Sequence, residues 1–231
     1  MEQQPTVSAR SSFLRGTLAM IPLIVAVTPW GILVGAYGIE SGLSALQTQS
    51  LSLLVFAGTS QLVAIGMLQA GLGIVSILVT TLLITSRHLL YSMAMRDRIS
   101  PLPLRWRLTM GFLLTDELFV NSAEDSRRFN RWYALGGGLS FYIAWNLATL
   151  AGILAGAVIP DLTQIGLDFA VVATFIAIVV PMVKSRSVFA CVVVSAIVSV
   201  YCTLQQYQAG LLLAIISGMI IGYLSYKGGK R

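Results

Sequence analysis

The sequence predicts an all-α, polytopic integral membrane protein with about seven or eight hydrophobic segments. Three observations carry this. The chain is 56% hydrophobic and only 10% charged, where soluble domains carry roughly 25% charged residues. Lys and Arg are absent from residues 16–86, 132–183 and 187–226, stretches in which a soluble protein would need surface charge. The basic residues gather instead in short clusters between apolar segments, the pattern of cytoplasmic loops. An anionic leaflet is a sufficient partner for the net charge of +6, and no separate basic domain is present to hold a nucleic acid.

Residues 1–12 form a short polar tail, residues 13–227 a single membrane-embedded domain, and residues 228–231 a second tail. Arg10 and Arg15 precede an apolar run over 17–39. That run exceeds the roughly 7–15-residue core of a secretory signal, so it reads as a retained membrane helix. The first segment, about 14–38, contains Pro22 and Pro29, which predict kinks because each removes a helix hydrogen bond. A polar turn over 40–49 leads to the second segment, about 50–69. Ala57, Gly58, Thr59, Ser60 and Gln61 interrupt it and mark a broken or closely packed helix. The third segment, about 72–95, ends in a polar stripe. RDRISPLPLRWR (96–107) is the most basic stretch, and Pro101 and Pro103 stop helix there.

The fourth segment, about 107–123, carries Asp116 and Glu117, and a charged loop follows over 124–131. The fifth, about 132–159, opens with Gly136, Gly137 and Gly138 and ends at a Pro160-Asp161 turn. The sixth (about 167–183), seventh (about 187–204) and eighth (about 209–226) complete the domain. Cys191 and Cys202 are eleven residues apart in one segment. That is about 16 Å along a helix, beyond the roughly 7 Å Cα separation a disulfide spans.

Placing both termini, the 96–107 and 124–131 loops, and Lys184 with Arg186 in the cytoplasm puts every basic cluster inside. Glu40, Asp161 and Asp168 then fall outside. On this count the second and fourth segments cannot be simple crossings; they are re-entrant or broken. Non-helical backbone at membrane depth is tolerated only when buried in protein or lining a wet cavity. A competing arrangement lets all eight segments cross and breaks the positive-inside rule once. Gly31/Gly35, Gly152/Gly156 and Gly218/Gly222 are small-xxx-small pairs suited to helix packing. GILVGA (31–36) is similar to GILAGA (152–157), as a duplicated transporter or chance in apolar helices would give.

Chemistry concentrates in three places. Asp116 and Glu117 lie in an otherwise apolar segment, where an ionised group costs at least about 2.5–3.5 kcal/mol and so marks a substrate, ion or proton route. The other reading is an interfacial segment with both carboxylates in water. As helix neighbours they point about 100° apart, so one can pair while the other titrates, and two close carboxylates in low dielectric raise one pKa toward neutrality. Thr81, Thr85, His88 and Ser92 share one helix face, flanked by Arg87 and Tyr91. His88 is either a hydrogen-bonded packing residue or a proton carrier. Arg87 suits a carboxylate, which is Asp116, Glu117 or that of a bound amino acid. Gly58, Thr59, Ser60 and Gln61 either pack tightly or expose half-helix ends to a substrate. No Walker A sequence, HExxH, Cys/His cluster or G-x-S-x-G elbow occurs, so neither a metal nor a cofactor is expected, and an enzyme would lack a nucleophile–base pair.

FAGTSQLVAIGML (56–68), SRHLLYSMAMRDRI (86–99) and LLTDELF (113–119), in this order and spacing, resemble the AzlC/YgaZ family, the large subunits of bacterial branched-chain amino acid exporters. The resemblance implies a multi-pass protein of the bacterial cytoplasmic (inner) membrane. It would export valine, leucine, isoleucine and often methionine, driven by protons, with a small AzlD/YgaH-like membrane subunit. Gly58, Ser60, Gln61, Arg87, His88, Tyr91, Asp116 and Glu117 match the family pattern. Thr59 departs from it, standing where many relatives have a small apolar residue, which bears on pocket width. The implied substrate-binding set is Gly58, Thr59, Ser60, Gln61, Arg87 and Tyr91; the implied proton-coupling set is Asp116, Glu117 and His88. The alternative is a passive channel or an ABC-type permease subunit without proton coupling.

Overall fold

The structure, a computed structural model, describes residues 8–123, 129–158, 176, 180, 183–205, 207 and 210–228. Every element among them is a helix: α1 (Ala9–Glu40), α2 (Ala45–Leu54), α3 (Gly58–Gln69), α4 (Ile74–Thr85), α5 (Arg87–Ile99), α6 (Leu104–Leu113), α7 (Asp116–Ala123), α8 (Arg131–Val158), α9 (Arg186–Leu204) and α10 (Gly210–Gly228). Among the described residues, four spans are long and apolar enough to cross a membrane: Ala9–Glu40, Ile74–Ile99, Arg131–Ala157 and Arg186–Leu204. Gly210–Tyr226 is a shorter apolar helix. The sixth predicted segment apart from residues 176, 180 and 183, the Pro160-Asp161 turn, Asp168 and residues 124–128 of the second charged loop lie outside the described residues.

The chain divides into two compact units. One comprises Met1–Leu62 and Ile84–Pro160, the other Val63–Leu83 and Asp161–Arg231. The first is built on α1 and α8, which lie side by side and parallel. A Cβ on Gly16 would strike the Tyr133 carbonyl, one on Gly35 the Thr149 carbonyl, and one on Gly152 the Ile32 carbonyl. Partners thus advance together along both helices. Only glycine lets the two backbones come this close. α1 runs unbroken through Pro22 and Pro29. Ser8 caps its start, accepting from the Ser11 amide.

Two broken helical segments lean on this pair from opposite ends, the first through α2 and the start of α3, the second through α6 and α7. α2 begins beside the C-terminal end of α1, where Thr48 packs on Gly38. Its start at Ala45 corrects the predicted polar turn: Ser44 and Gln47 form a capping box, and residues 45–49 are helical. Descending along α8, Ser52 bonds Thr149 and the Leu53 carbonyl accepts from the Tyr142 hydroxyl, while the Gln49 side chain reaches Asn146. The helix then breaks at Phe56, whose φ of +46 is an outlier for a bulky side chain. Beyond the break Gln61 reaches back 2.8 Å to Ser52. A straight helix would carry nine residues about 13.5 Å along its axis, so the chain bends sharply here.

The α6–α7 hairpin enters from the other end. Trp106 meets Trp132 near the start of α8, and Phe112 meets Tyr142 further along it. The chain breaks at Leu114 and Thr115, whose hydroxyl accepts from the Leu118 amide. α7 then leads back: Leu113 before the break and Leu118 after it both pack against Gly138. Further down, Tyr133 donates a 2.9 Å bond to Asn121. The second and fourth apolar segments are therefore broken helices. Their tips meet halfway along α8, where Phe56 stacks on Phe112 at 6.2 Å and meets Tyr142 edge-on at 4.9 Å.

The second unit is simpler. α9 and α10 pack antiparallel, with Gly210 on Cys202, Gly218 on Ser195 and Gly222 on Cys191. The Ser195 hydroxyl donates to the Ala214 carbonyl at 3.1 Å. Both cysteines are free. Ala64, Met67 and Ile77 form a small core with Val63, Leu72 and Leu211. Large apolar side chains such as Ile197, Val200, Ile216 and Met219 point outward, the expected surface for lipid contact.

Candidate functional site

Two clusters of polar residues in the first unit lie at the two breaks, one on each segment. At the α2–α3 tip, Ser60 is 1% and Gln61 0% exposed, while Gly58 and Thr59 are half-buried. Burying an amide in an apolar surround is costly unless it is bonded, and Gln61 is bonded at both ends. Its Nε2 donates to Ser52 and its Oε1 accepts from the Trp145 indole at 3.1 Å. The Thr149 hydroxyl donates to the Trp145 carbonyl at 3.1 Å, so it accepts from Ser52, 2.7 Å away. Gln61, Ser52, Thr149 and Trp145 thus close a loop of hydrogen bonds that clamps the break to α8. Gly58 lies flat against the indole; a Cβ there would sit 2.6 Å from the ring. The Ser60 hydroxyl, by contrast, is buried with no hydrogen-bond partner among the described residues.

At the α6–α7 tip, Asp116 and Glu117 are the first two residues of α7, not mid-helix residues. Carboxylates favour this position, where the helix dipole is positive. Asp116 forms an ion pair with Arg87, at 2.6 Å, across the α5–α7 contact. Glu117 makes no ion pair among the described residues. Tyr91, one turn after Arg87, stacks on Phe119 of α7 at 4.6 Å and 17°. His88 lies edge-on to Tyr91 at 6.0 Å, and its Nδ1 is 3.1 Å from the Thr85 carbonyl. With a carbonyl as partner, Nδ1 carries the proton.

The predicted residues therefore fall into two groups. Arg87, His88, Tyr91, Asp116 and Glu117 are brought together by α5 and α7. Gly58, Thr59, Ser60 and Gln61 sit on the other tip, which touches the α6–α7 hairpin through Phe56 and Phe112. Sequence reasoning passed over Ser52, Phe56, Trp145 and Thr149. Ser52 and Thr149 did carry a signal, being hydroxyls inside apolar runs. Trp145 and Phe56 carried none, because aromatics are ordinary in such segments.

A helical membrane protein with two broken helical segments whose breaks meet halfway along α8, and an ion pair at the head of α7, has the build of a transport protein. The comparisons with known proteins agree. Residues 22–159 match the model of the AzlC protein family, and the chain belongs to that family. It is 29% identical to an uncharacterized membrane protein of Archaeoglobus fulgidus, over 94% of this chain and 96% of that protein. It is 26% identical to the inner membrane protein YgaZ of Escherichia coli, over 64% of this chain and 62% of that one. It is 28% identical to the branched-chain amino acid transport protein AzlC of Bacillus subtilis, over 68% of this chain and 63% of that one. No solved structure matches the chain.

Proposed function

We propose that this chain is a proton-coupled exporter of the branched-chain amino acids valine, leucine and isoleucine, with the unbranched methionine as a further substrate. On this reading it is the large subunit of a complex with a small AzlD/YgaH-like membrane protein, with both termini in the cytoplasm. The observation that carries the proposal is the Arg87–Asp116 ion pair at the head of α7, with Glu117 beside it and no cation of its own among the described residues. The name of the Bacillus subtilis relative supports the substrate class.

The substrate site lies where the hairpin tips meet. The amino acid's carboxylate faces the first turn of α3 at Gly58 and Thr59, where the dipole of a half-helix favours an anion. The unpartnered Ser60 hydroxyl supplies a donor. Gln61 belongs to the site as the residue that fixes the break, since its amide is already bonded. Arg87 and Tyr91 close the other side. Asp116 is neutralised by Arg87, which leaves Glu117 to carry the coupling proton, with His88 as its relay.

Labelled valine uptake into proteoliposomes tests this, with and without an imposed pH gradient and with and without the small subunit. Gradient-driven accumulation that needs both subunits is the expected result. Accumulation indifferent to the pH gradient would leave a passive channel or an externally energised permease as the better reading.

A further inference from the structure

We propose that a groove between the first turns of α6 and α8 is a binding site for the headgroup of an anionic phospholipid. The groove encloses about 450 Å³ and is lined by Arg105, Trp106, Thr109, Arg131, Trp132 and Leu135. Its floor is built from aromatic rings. Trp106 and Trp132 meet edge to face at 4.9 Å, and the Arg131 guanidinium lies 5.1 Å from one ring centroid and 5.8 Å from the other. Stacking occupies the face of a guanidinium and leaves its in-plane N–H donors for a phosphate oxygen. Two rings therefore hold Arg131 in place for an anion it does not yet contact. Arg105 stands on the same groove, and neither guanidinium makes an ion pair or hydrogen bond among the described residues.

The surroundings select a lipid over a free anion. Tryptophan concentrates at the membrane–water boundary, with its ring among the acyl chains and its N–H among the headgroups. Leu135 lies one turn into α8, on the apolar side of the groove, where an acyl chain would lie. A second groove of about 310 Å³ opens on Trp132 as well, lined by Ala9, Arg10, Phe13 and Leu14. It repeats the pairing of one arginine with apolar walls and gives a second chain a place to run. Basic residues in this setting are worth about 1 kcal/mol each toward an anionic leaflet, about a fivefold preference per arginine. The site does not depend on the transport reading.

The test uses the full-length protein, equilibrated with an equimolar mixture of phosphatidylglycerol and phosphatidylcholine of identical acyl chains. Native mass spectrometry then reads the lipids retained. Phosphatidylglycerol should be retained with roughly thirtyfold preference, the product of about fivefold from each of Arg105 and Arg131. Arg105→Gln and Arg131→Gln should each lower that preference by about fivefold. Arg107→Gln, which removes a charge from the same helix but outside the groove, should not. Equal retention of the two lipids overturns the proposal, as does a preference that survives the Arg105→Gln/Arg131→Gln double substitution. Displacement of the bound lipid by inorganic phosphate would also overturn it, since the site would then be one for a free anion. The competition on the unaltered chain decides the matter if a variant fails to fold.

Discussion

At the residue scale, the division of labour between Asp116 and Glu117 is the sharpest consequence of the structure. Adjacent carboxylates in an apolar segment were visible in the sequence, and so was Arg87 as a partner. Which carboxylate Arg87 takes was not, because it depends on where the helix restarts. The break at Leu114 and Thr115 makes Asp116 the first residue of α7 and turns it to α5. Replacing Asp116 with Asn should therefore act through folding, by leaving Arg87 unpaired beside apolar surface. The amount of monodisperse protein recovered from membranes should fall, and the Arg87→Gln/Asp116→Asn double variant should recover much of it. Glu117→Gln should do the opposite: full recovery of folded protein and intact valine exchange, but no accumulation driven by a pH gradient. A Glu117→Gln variant that still accumulates valine against its gradient contradicts the assignment of the coupling proton.

At the element scale, the hairpins rest on bonds that cross their breaks. Trp145→Phe keeps the ring that covers Gly58 but removes the indole donor to Gln61. Leaving a buried acceptor unmet costs about 1–3 kcal/mol, so the thermal midpoint should fall while the fold persists. Ser52→Ala should do likewise, since Ser52 links Gln61 to Thr149. The small polar run 57–61 marked the right place for a break. Its position one residue earlier, at Phe56, was hidden, because phenylalanine disfavours positive φ. The start of α2 was legible and overlooked: Ser44 and Gln47 have the spacing of a capping box, but the polar composition of 45–49 read as a turn.

At the scale of the whole molecule, the parallel pairing of α1 and α8 organises the rest. The similar stretches at 31–36 and 152–157 pack directly on one another, Gly35 against Ile153, Gly152 against Ile32 and Gly156 against Ala36. Their likeness thus has a physical use, whether or not it also records a duplication. Gly152→Leu should abolish this approach and with it monodisperse protein on size-exclusion chromatography, whereas Gly111→Leu, where an added Cβ meets nothing within 4 Å, should not. The all-helical class, the long apolar spans and the two irregular segments were all legible from composition and charge spacing. So was the return of the fourth segment, since the basic clusters at 96–107 and 124–131 both count as cytoplasmic and leave that segment re-entrant or broken. That reversal is the central claim, because it sets the breaks of the two segments against each other at Phe56 and Phe112. In a chain whose two cysteines are replaced by alanine, Ser100→Cys and Asn130→Cys flank the α6–α7 hairpin. An impermeant maleimide applied from one side of the membrane should label both from the cytoplasmic face and neither from outside. Labelling of Ser100→Cys from the outside, with Asn130→Cys reactive only from within, would mean that this segment crosses the membrane and would contradict the account.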